Sequence, residues 1–287
     1  MSAVVVIPTY QEAGNIERLL RAIRAAVADL DIVVVDDNSP DGTGKLAEEV
    51  GTELGRVEVL HRPVKAGLGV AYRRGFRHVL DRGYDVVAQM DADFSHDPAV
   101  LSELLAAVDG GAEVAIGSRY VPGGSVPNWT WFRRALSRWG NSYAHFLLRL
   151  RMVDATTAFR AYRSDVLEQI DIDGTRANGY LFQIETAFRL SGHDVDIVEI
   201  PITFVDRIAG SSKMAVVRTM VETEVRVTWW GLSLRAPGIT RWVRSTRPGR
   251  LLDARFAPAG RSTPLDTTRH DPDSGDGRSA TDGNLTG

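Results

Sequence analysis

Five short runs rich in β-branched residues lie near Val4–Pro8, Ile32–Asp37, Val57–His61, Asp85–Asp91 and Val114–Gly117. Between them, the stretches from Glu12 to Leu30, Gly42 to Leu54, Gly69 to Arg82 and Pro98 to Val108 carry apolar residues at spacings of three and four. Strands that alternate with helical patterns are joined by crossover helices, and the arrangement that buries both is a parallel, doubly wound sheet. Asp97 before Pro98 supplies an N-cap with proline in the first turn, which fixes where the fourth of these helices begins.

In such a sheet the ligand crevice lies at the carboxyl ends of the strands. Three polar segments fall there: Ile7-Pro8-Thr9-Tyr10-Gln11-Glu12, Val35-Asp36-Asp37-Asn38-Ser39-Pro40-Asp41-Gly42-Thr43 and Met90-Asp91-Ala92-Asp93-Phe94-Ser95-His96-Asp97-Pro98. Asp91 and Asp93 are two apart at a strand end, a spacing that points both carboxylates the same way. Hard oxygen ligands in that position suit Mg²⁺ or Mn²⁺, held through one or two carboxylates together with substrate phosphates. An isolated Asp-x-Asp pair is more often a solvated strand end, and an Asn-Ser-Pro-Asp-Gly run is more often turn chemistry. Three such loops on one rim converge on one crevice, where a metal-bound diphosphate could be held.

Charge narrows the partners. The chain has 34 basic and 37 acidic residues, a net −3, which argues against a general nucleic-acid binder. From Arg119 to Arg163, however, eight arginines face only Asp154 as an acid, so this sector expects an anionic partner. The absence of cysteine excludes disulfides and thiolate chemistry. Met1-Ser2-Ala3 leads directly into the first strand without a basic leader, and no apolar run approaches the roughly 20 residues that cross a bilayer.

The second half is mixed. Leu136, Trp139, Tyr143, Leu147 and Leu150 form one helical stripe with arginines at its flanks, a candidate for a membrane surface or for the core. A strand is expected over Thr157–Tyr162, a helix from Gly179 to Leu190 and a strand within Val195–Phe204. A last helix from Lys213 carries apolar residues on both sides, with Trp229 and Trp230 placed to enter a lipid interface. This gives one catalytic domain over 1–235. Beyond Ser245, and over 245–287, the composition predicts a disordered tail.

With Gly117-Ser118-Arg119-Tyr120, the rim segments resemble those of family 2 glycosyltransferases with a GT-A fold. Asp154-Ala155-Thr156-Thr157-Ala158-Phe159-Arg160, Gly179-Tyr180-Leu181-Phe182-Gln183-Ile184-Glu185 and Pro201-Ile202-Thr203-Phe204, followed by Arg207 and Gly210-Ser211-Ser212-Lys213, resemble the polyprenyl (dolichyl) phosphate mannose synthases among them. The resemblance implies a Rossmann-like, mostly parallel sheet flanked by helices. It also implies an inverting transfer of mannose from GDP-mannose to a polyprenyl phosphate, giving a β-linked product, by a protein held peripherally on the cytosolic membrane face and open to an integral-membrane partner.

Residue by residue, the resemblance places Pro8, Tyr10, Glu12, Val35 and Asp37 around guanosine, and Asp91 and Asp93 on the metal, with the Ala92 backbone beside the ligand. It places Arg119 and Arg133 on the lipid phosphate, and Arg207 and Lys213 over the nucleotide phosphates. Some relatives have Gln where this chain has Ser95, and often Asn and Gly where it has Gln11 and Ala158. His96 reads as a turn residue or a supporting one, without a catalytic role. The rival readings are a UDP-sugar transferase of the same family, including a polyprenyl-phosphate glucosyltransferase, and a non-catalytic nucleotide-sugar-binding subunit.

Overall fold

The computed structural model describes residues 1–205 and 223–232. Seven strands form one sheet: β1 (Ala3–Thr9), β2 (Asp31–Asp36), β3 (Val57–His61), β4 (Val86–Gln89), β5 (Val114–Ser118), β6 (Arg160–Arg163) and β7 (Ile197–Pro201). Their order is β3-β2-β1-β4-β6-β5-β7. All neighbours are parallel except β6, which runs antiparallel between β4 and β5. The expected doubly wound sheet is therefore present with one reversed strand, and that strand starts at Arg160 rather than Thr157. The chain from Asp154 to Phe159 is spent instead on a loop beside the rim, where the Gly117 amide donates to the Phe159 carbonyl at 2.8 Å.

Helices α1 (Ile16–Ala26), α2 (Thr43–Leu54), α3 (Leu68–Leu80), α4 (Leu101–Asp109), α5 (Trp131–Leu148), α6 (Ser164–Gln169) and α7 (Tyr180–Ser191) cover both faces. Strand alternation sorts the core. Val4, Val6, Val33, Val35 and Val87 pack with Tyr72, Phe76, Leu148 and Phe182, from α3, α5 and α7. Val5, Ile7, Ile32, Val34 and Ala88 pack with Leu19, Ile23, Ala47 and Leu104, from α1, α2 and α4. The central strands β1, β2 and β4 are thus buried on both faces, as near-continuous apolar runs require, while the edge strands β3 and β7 are only partly covered.

The close seating of α3 depends on one glycine. A Cβ at Gly75 would stand 2.4 Å from Val6 Cγ1. Gly75→Ala is expected to push α3 from β1, costing about 1–3 kcal/mol and lowering the melting temperature; an unchanged melting curve would show that this contact is slack.

Two faces differ from expectation. In α5 the buried side is Asn141, Ala144 and Leu148, while Trp139 and Phe146 are 56% and 67% exposed. The sequence stripe is therefore split: Leu150, just past the helix, is buried, and Trp139 faces out. Helix 223–232 packs Val227 and Trp230 into the core, and Trp230 stacks on Phe188 at 5.8 Å. Trp230 is thus a core residue and not a lipid contact; with apolar residues on both sides, the sequence of this helix does not itself say which side turns inward. Val225 on another side is exposed. Residues 213–222 of the expected last helix and the tail 245–287 lie outside the described residues.

Candidate active site

The strand order reverses about β1 and β4, so their carboxyl ends open the crevice. The loops after β1 and β2 are stitched together before any ligand is considered. The amides of Gln11, Glu12 and Ala13 donate to Ser39 Oγ at 3.1 Å, Thr43 Oγ1 at 2.9 Å and Asp41 Oδ2 at 3.1 Å. The Ser39-to-Thr43 run is thus a structural clasp. Each of the three rim loops also carries a non-glycine residue with left-handed backbone, Gln11 (φ 60°), Asn38 (φ 57°) and Phe94 (φ 57°). Such conformations cost of order 1–3 kcal/mol, and for a ring as bulky as Phe94 the surroundings must impose it.

At the nucleotide end, Pro8 pairs with Val35 across β1 and β2. Val35 is fully buried in the core, and Tyr10 lies part-exposed on the rim with the Lys65 ammonium 3.5 Å above its ring. The Asp37 carboxylate is buried, pairs with Arg62 and accepts from the Ala66 and Gly67 amides at 3.3 Å. It therefore anchors the loop after β3 beside the crevice. Glu12 accepts from Asn15 at 2.8 Å. Arg62 and Lys65 were not legible in the sequence, because their role depends on β3 lying next to β2.

Asp91 and Asp93 follow β4, both part-exposed. Asp93 Oδ1 accepts from the Ser95 amide at 3.0 Å, and Asp91 Oδ1 accepts from the Tyr72 hydroxyl at 2.9 Å. Among the described residues no cluster of three or more His, Cys, Asp or Glu forms a metal cage. The donor set nevertheless fits the site type expected: two carboxylates, oxygen only, on an open rim, with phosphates and water left to complete the shell. Burial raises the Tyr72 pKa well above its ordinary range and the charge of Asp91 adds to it, so the phenol stays protonated and donates. His96 is buried, stacked on Phe159 at 5.0 Å and edge-on to Phe204 at 5.5 Å, a supporting position.

Across the crevice, Arg119 is buried against Asp154. Its Nε and Nη2 donate to the two carboxylate oxygens at 2.8 Å each, and its backbone amide adds a third bond at 3.0 Å. Burial works against both charges, but each overrides it in the other: the Arg119 pKa is raised and the Asp154 carboxyl is held below the usual range. Arg119 also lies 5.3 Å from the Phe204 ring, which joins it to the Asp93–His96 loop. Arg133 lies over the Trp129 ring at 4.3 Å, and Arg119 is 5.7 Å from the same ring. The two arginines expected to share an anion thus meet around one indole. A cavity of about 270 Å³ beside them is lined by residues that include Arg119, Tyr120, Ser125, Arg134 and Arg138, the last two being further arginines of the basic sector read in the sequence. Arg207 and Lys213 lie outside the described residues.

Comparison with known proteins shows the family and the fold. A family model described as glycosyl transferase family 2 matches residues 4–171. The chain is 48% identical over 242 residues to polyprenol monophosphomannose synthase of Mycolicibacterium smegmatis, covering 83% of this chain and 91% of that one. It is 46% identical over 239 residues to undecaprenyl-phosphate mannosyltransferase of Micrococcus luteus, covering 83% and 98%. Two solved structures share the fold at low identity. A mannosyltransferase from Pyrobaculum calidifontis in complex with GDP-Man and Mn²⁺ aligns with TM-score 0.54 and 14% identity over 89% of this chain and 84% of that one. Glucosyl-3-phosphoglycerate synthase from Mycobacterium tuberculosis, in complex with Mn²⁺, UDP and glucosyl-3-phosphoglycerate, aligns with TM-score 0.56 and 18% identity over 79% of this chain and 78% of that one.

Proposed function

The chain belongs to glycosyl transferase family 2, with a GT-A fold, and is a mannosyltransferase of the polyprenol-phosphate type; from that premise we propose that it takes mannose from GDP-mannose and delivers it with inversion to a polyprenyl phosphate. The observation that supports the reading is that the loop carrying Asp91 and Asp93 and the Arg119–Arg133 cluster meet at Phe204, whose ring touches His96 of that loop on one side and the Arg119 guanidinium on the other. One wall suits a diphosphate bound with a cation, and the other suits a phosphate monoester.

The guanosine is held by Pro8, Tyr10, Glu12, Val35 and Asp37, with the Ala92 backbone beside the sugar nucleotide and Arg207 and Lys213 over its phosphates. Asp91 and Asp93 would hold Mg²⁺ or Mn²⁺, which when bound supplies positive charge against the departing diphosphate. No protein base is needed on the acceptor. A phosphate monoester has a second pKa of about 6, so it arrives largely as the dianion. Arg119 and Arg133 orient that anion behind the anomeric carbon and offset its charge, and an in-line attack on the α-linked donor yields the β-linked product.

A water-insoluble acceptor places the reaction at a bilayer, here the cytosolic face. No helix among the described residues is long and apolar enough to cross it. Contact falls instead to α5, whose Phe132, Trp139 and Phe146 are exposed beside Arg138 and Arg149. Replacing Trp139 and Phe146 together with serine is expected to lower binding to anionic vesicles by about tenfold or more, measured by co-sedimentation. Undiminished binding would place the lipid contact elsewhere.

The assay that tests the reaction supplies the protein with Mg²⁺, a polyprenyl phosphate and a donor panel. Lipid-linked mannose from GDP-mannose is expected. Turnover of UDP-glucose without GDP-mannose would favour the glucosyltransferase, and no turnover with any donor would favour a binding subunit.

A further inference from the structure

Tyr72 stands 19 residues before Asp91 and on a different element, yet its hydroxyl reaches the Asp91 carboxylate at 2.9 Å. The ring is wholly buried on α3, stacked on Phe76 at 5.6 Å and on Phe182 of α7 at 5.6 Å with the two planes 4° apart. A ring held between two others has little freedom to turn, so its hydroxyl has one fixed direction. Packing alone would be served by phenylalanine, since nothing in the stack uses the oxygen. A buried phenol needs a hydrogen-bond partner, and this one donates to a carboxylate on the crevice rim.

The same side of β4 repeats the arrangement one step deeper. Gln89, two residues before Asp91 and fully buried, donates to Gln183 of α7 at 2.8 Å and accepts from Tyr162 at 3.1 Å. Side chains two apart on a strand share a face, so α3 and α7 grip successive polar groups as the strand leaves the sheet. The close seating of α3 on β1 through Gly75 brings Tyr72 within reach.

We propose that Tyr72 is a positioning residue for the transfer reaction: by fixing one oxygen of Asp91 it aims the carboxylate at the cation that accompanies the sugar nucleotide. This rests on the proposed role of Asp91 as a metal ligand. Groups that orient a metal ligand typically change metal affinity about 10–100-fold when removed. Tyr72→Phe keeps the ring and the stack and removes only the hydroxyl, so the melting temperature is expected to stay close to that of the parent.

The test is Mn²⁺ binding in the presence of GDP, read by electron paramagnetic resonance, for the parent, Tyr72→Phe, Asp91→Asn and the double variant. Tyr72→Phe is expected to weaken Mn²⁺ about tenfold or more, and to add nothing once Asp91 is asparagine. Parent-like Mn²⁺ affinity in Tyr72→Phe, with Asp91→Asn impaired, overturns the proposal while leaving the metal site standing. An equal loss on both backgrounds also overturns it, because the hydroxyl then acts by another route. If the parent itself binds no Mn²⁺ with GDP, or Asp91→Asn binds it as the parent does, the underlying reading of Asp91 fails, and the proposal with it.

Discussion

Asp91→Asn is expected to lower kcat/KM for GDP-mannose by on the order of 10³-fold, while the melting temperature stays within about 2 °C of the parent. Asparagine keeps the shape of the side chain and an oxygen that can still accept from the Tyr72 hydroxyl, so the buried phenol keeps a partner. What is lost is the negative charge that holds a cation against the diphosphate. Alanine would confound the result by leaving that hydroxyl unpaired, at about 1–3 kcal/mol. Initial rates and a melting curve on one preparation give the comparison. Near-parental turnover would remove Asp91 from the metal site, and a collapsed melting curve would make it a structural residue.

Asp154→Asn is expected to do the opposite, damaging stability first. Arg119 and Asp154 are both buried and satisfy one another through three bonds. Removing one charge strands the other, which costs about 3–5 kcal/mol and lowers the melting temperature by roughly 10 °C. The pair also sets a pH dependence. The folded Asp154 carboxyl lies below its ordinary value of 3.8, so its stabilising contribution is fully present above that value. It is lost as pH falls through the folded pKa, when the proton that Arg119 keeps off finally binds. The Asp154→Asn variant should therefore show a shallower acid transition. Arg119→Met with Asp154→Leu is expected to recover only part of the stability, because the backbone amides of residues 119 and 156 lose their buried acceptor at about 1–3 kcal/mol each, and none of the turnover, because apolar groups offer the lipid phosphate nothing. If the double replacement is as active as the parent, Arg119 has no acceptor role.

The fold was legible where a single periodicity dominates. The runs that became β1 to β5 alternate with helical spacing, and the parallel core follows from that alternation. The reversed β6 was not, since its four residues carry the same apolar content whichever way the strand runs. The six-residue α6 was missed because it is too short for a periodic pattern to register. Trp230 was turned the wrong way by a helix with apolar residues on both sides, where packing against Phe188 decides the outcome.

At the site, Asp91, Asp93 and Arg119, which we propose for the cation and the acceptor, could be singled out because each lies in a compact local motif. Their supports could not. Tyr72, Arg62, Lys65 and Trp129 act across distances that appear only once α3, the loop after β3 and the chain before α5 are folded onto the rim. Asp154 was visible in a motif, but its burial beneath Arg119 depends on the loop that replaces the expected start of β6.

Calorimetric titration of GDP-mannose into the parent protein, with and without Mg²⁺ or Mn²⁺, bears most directly on whether two aspartates join a cation to a sugar nucleotide. Binding that requires the divalent ion, and that weakens when Asp91 and Asp93 are both changed to asparagine, is the predicted result. Metal-independent binding of equal strength in the parent and the double variant, or no binding to a folded parent at all, would contradict it.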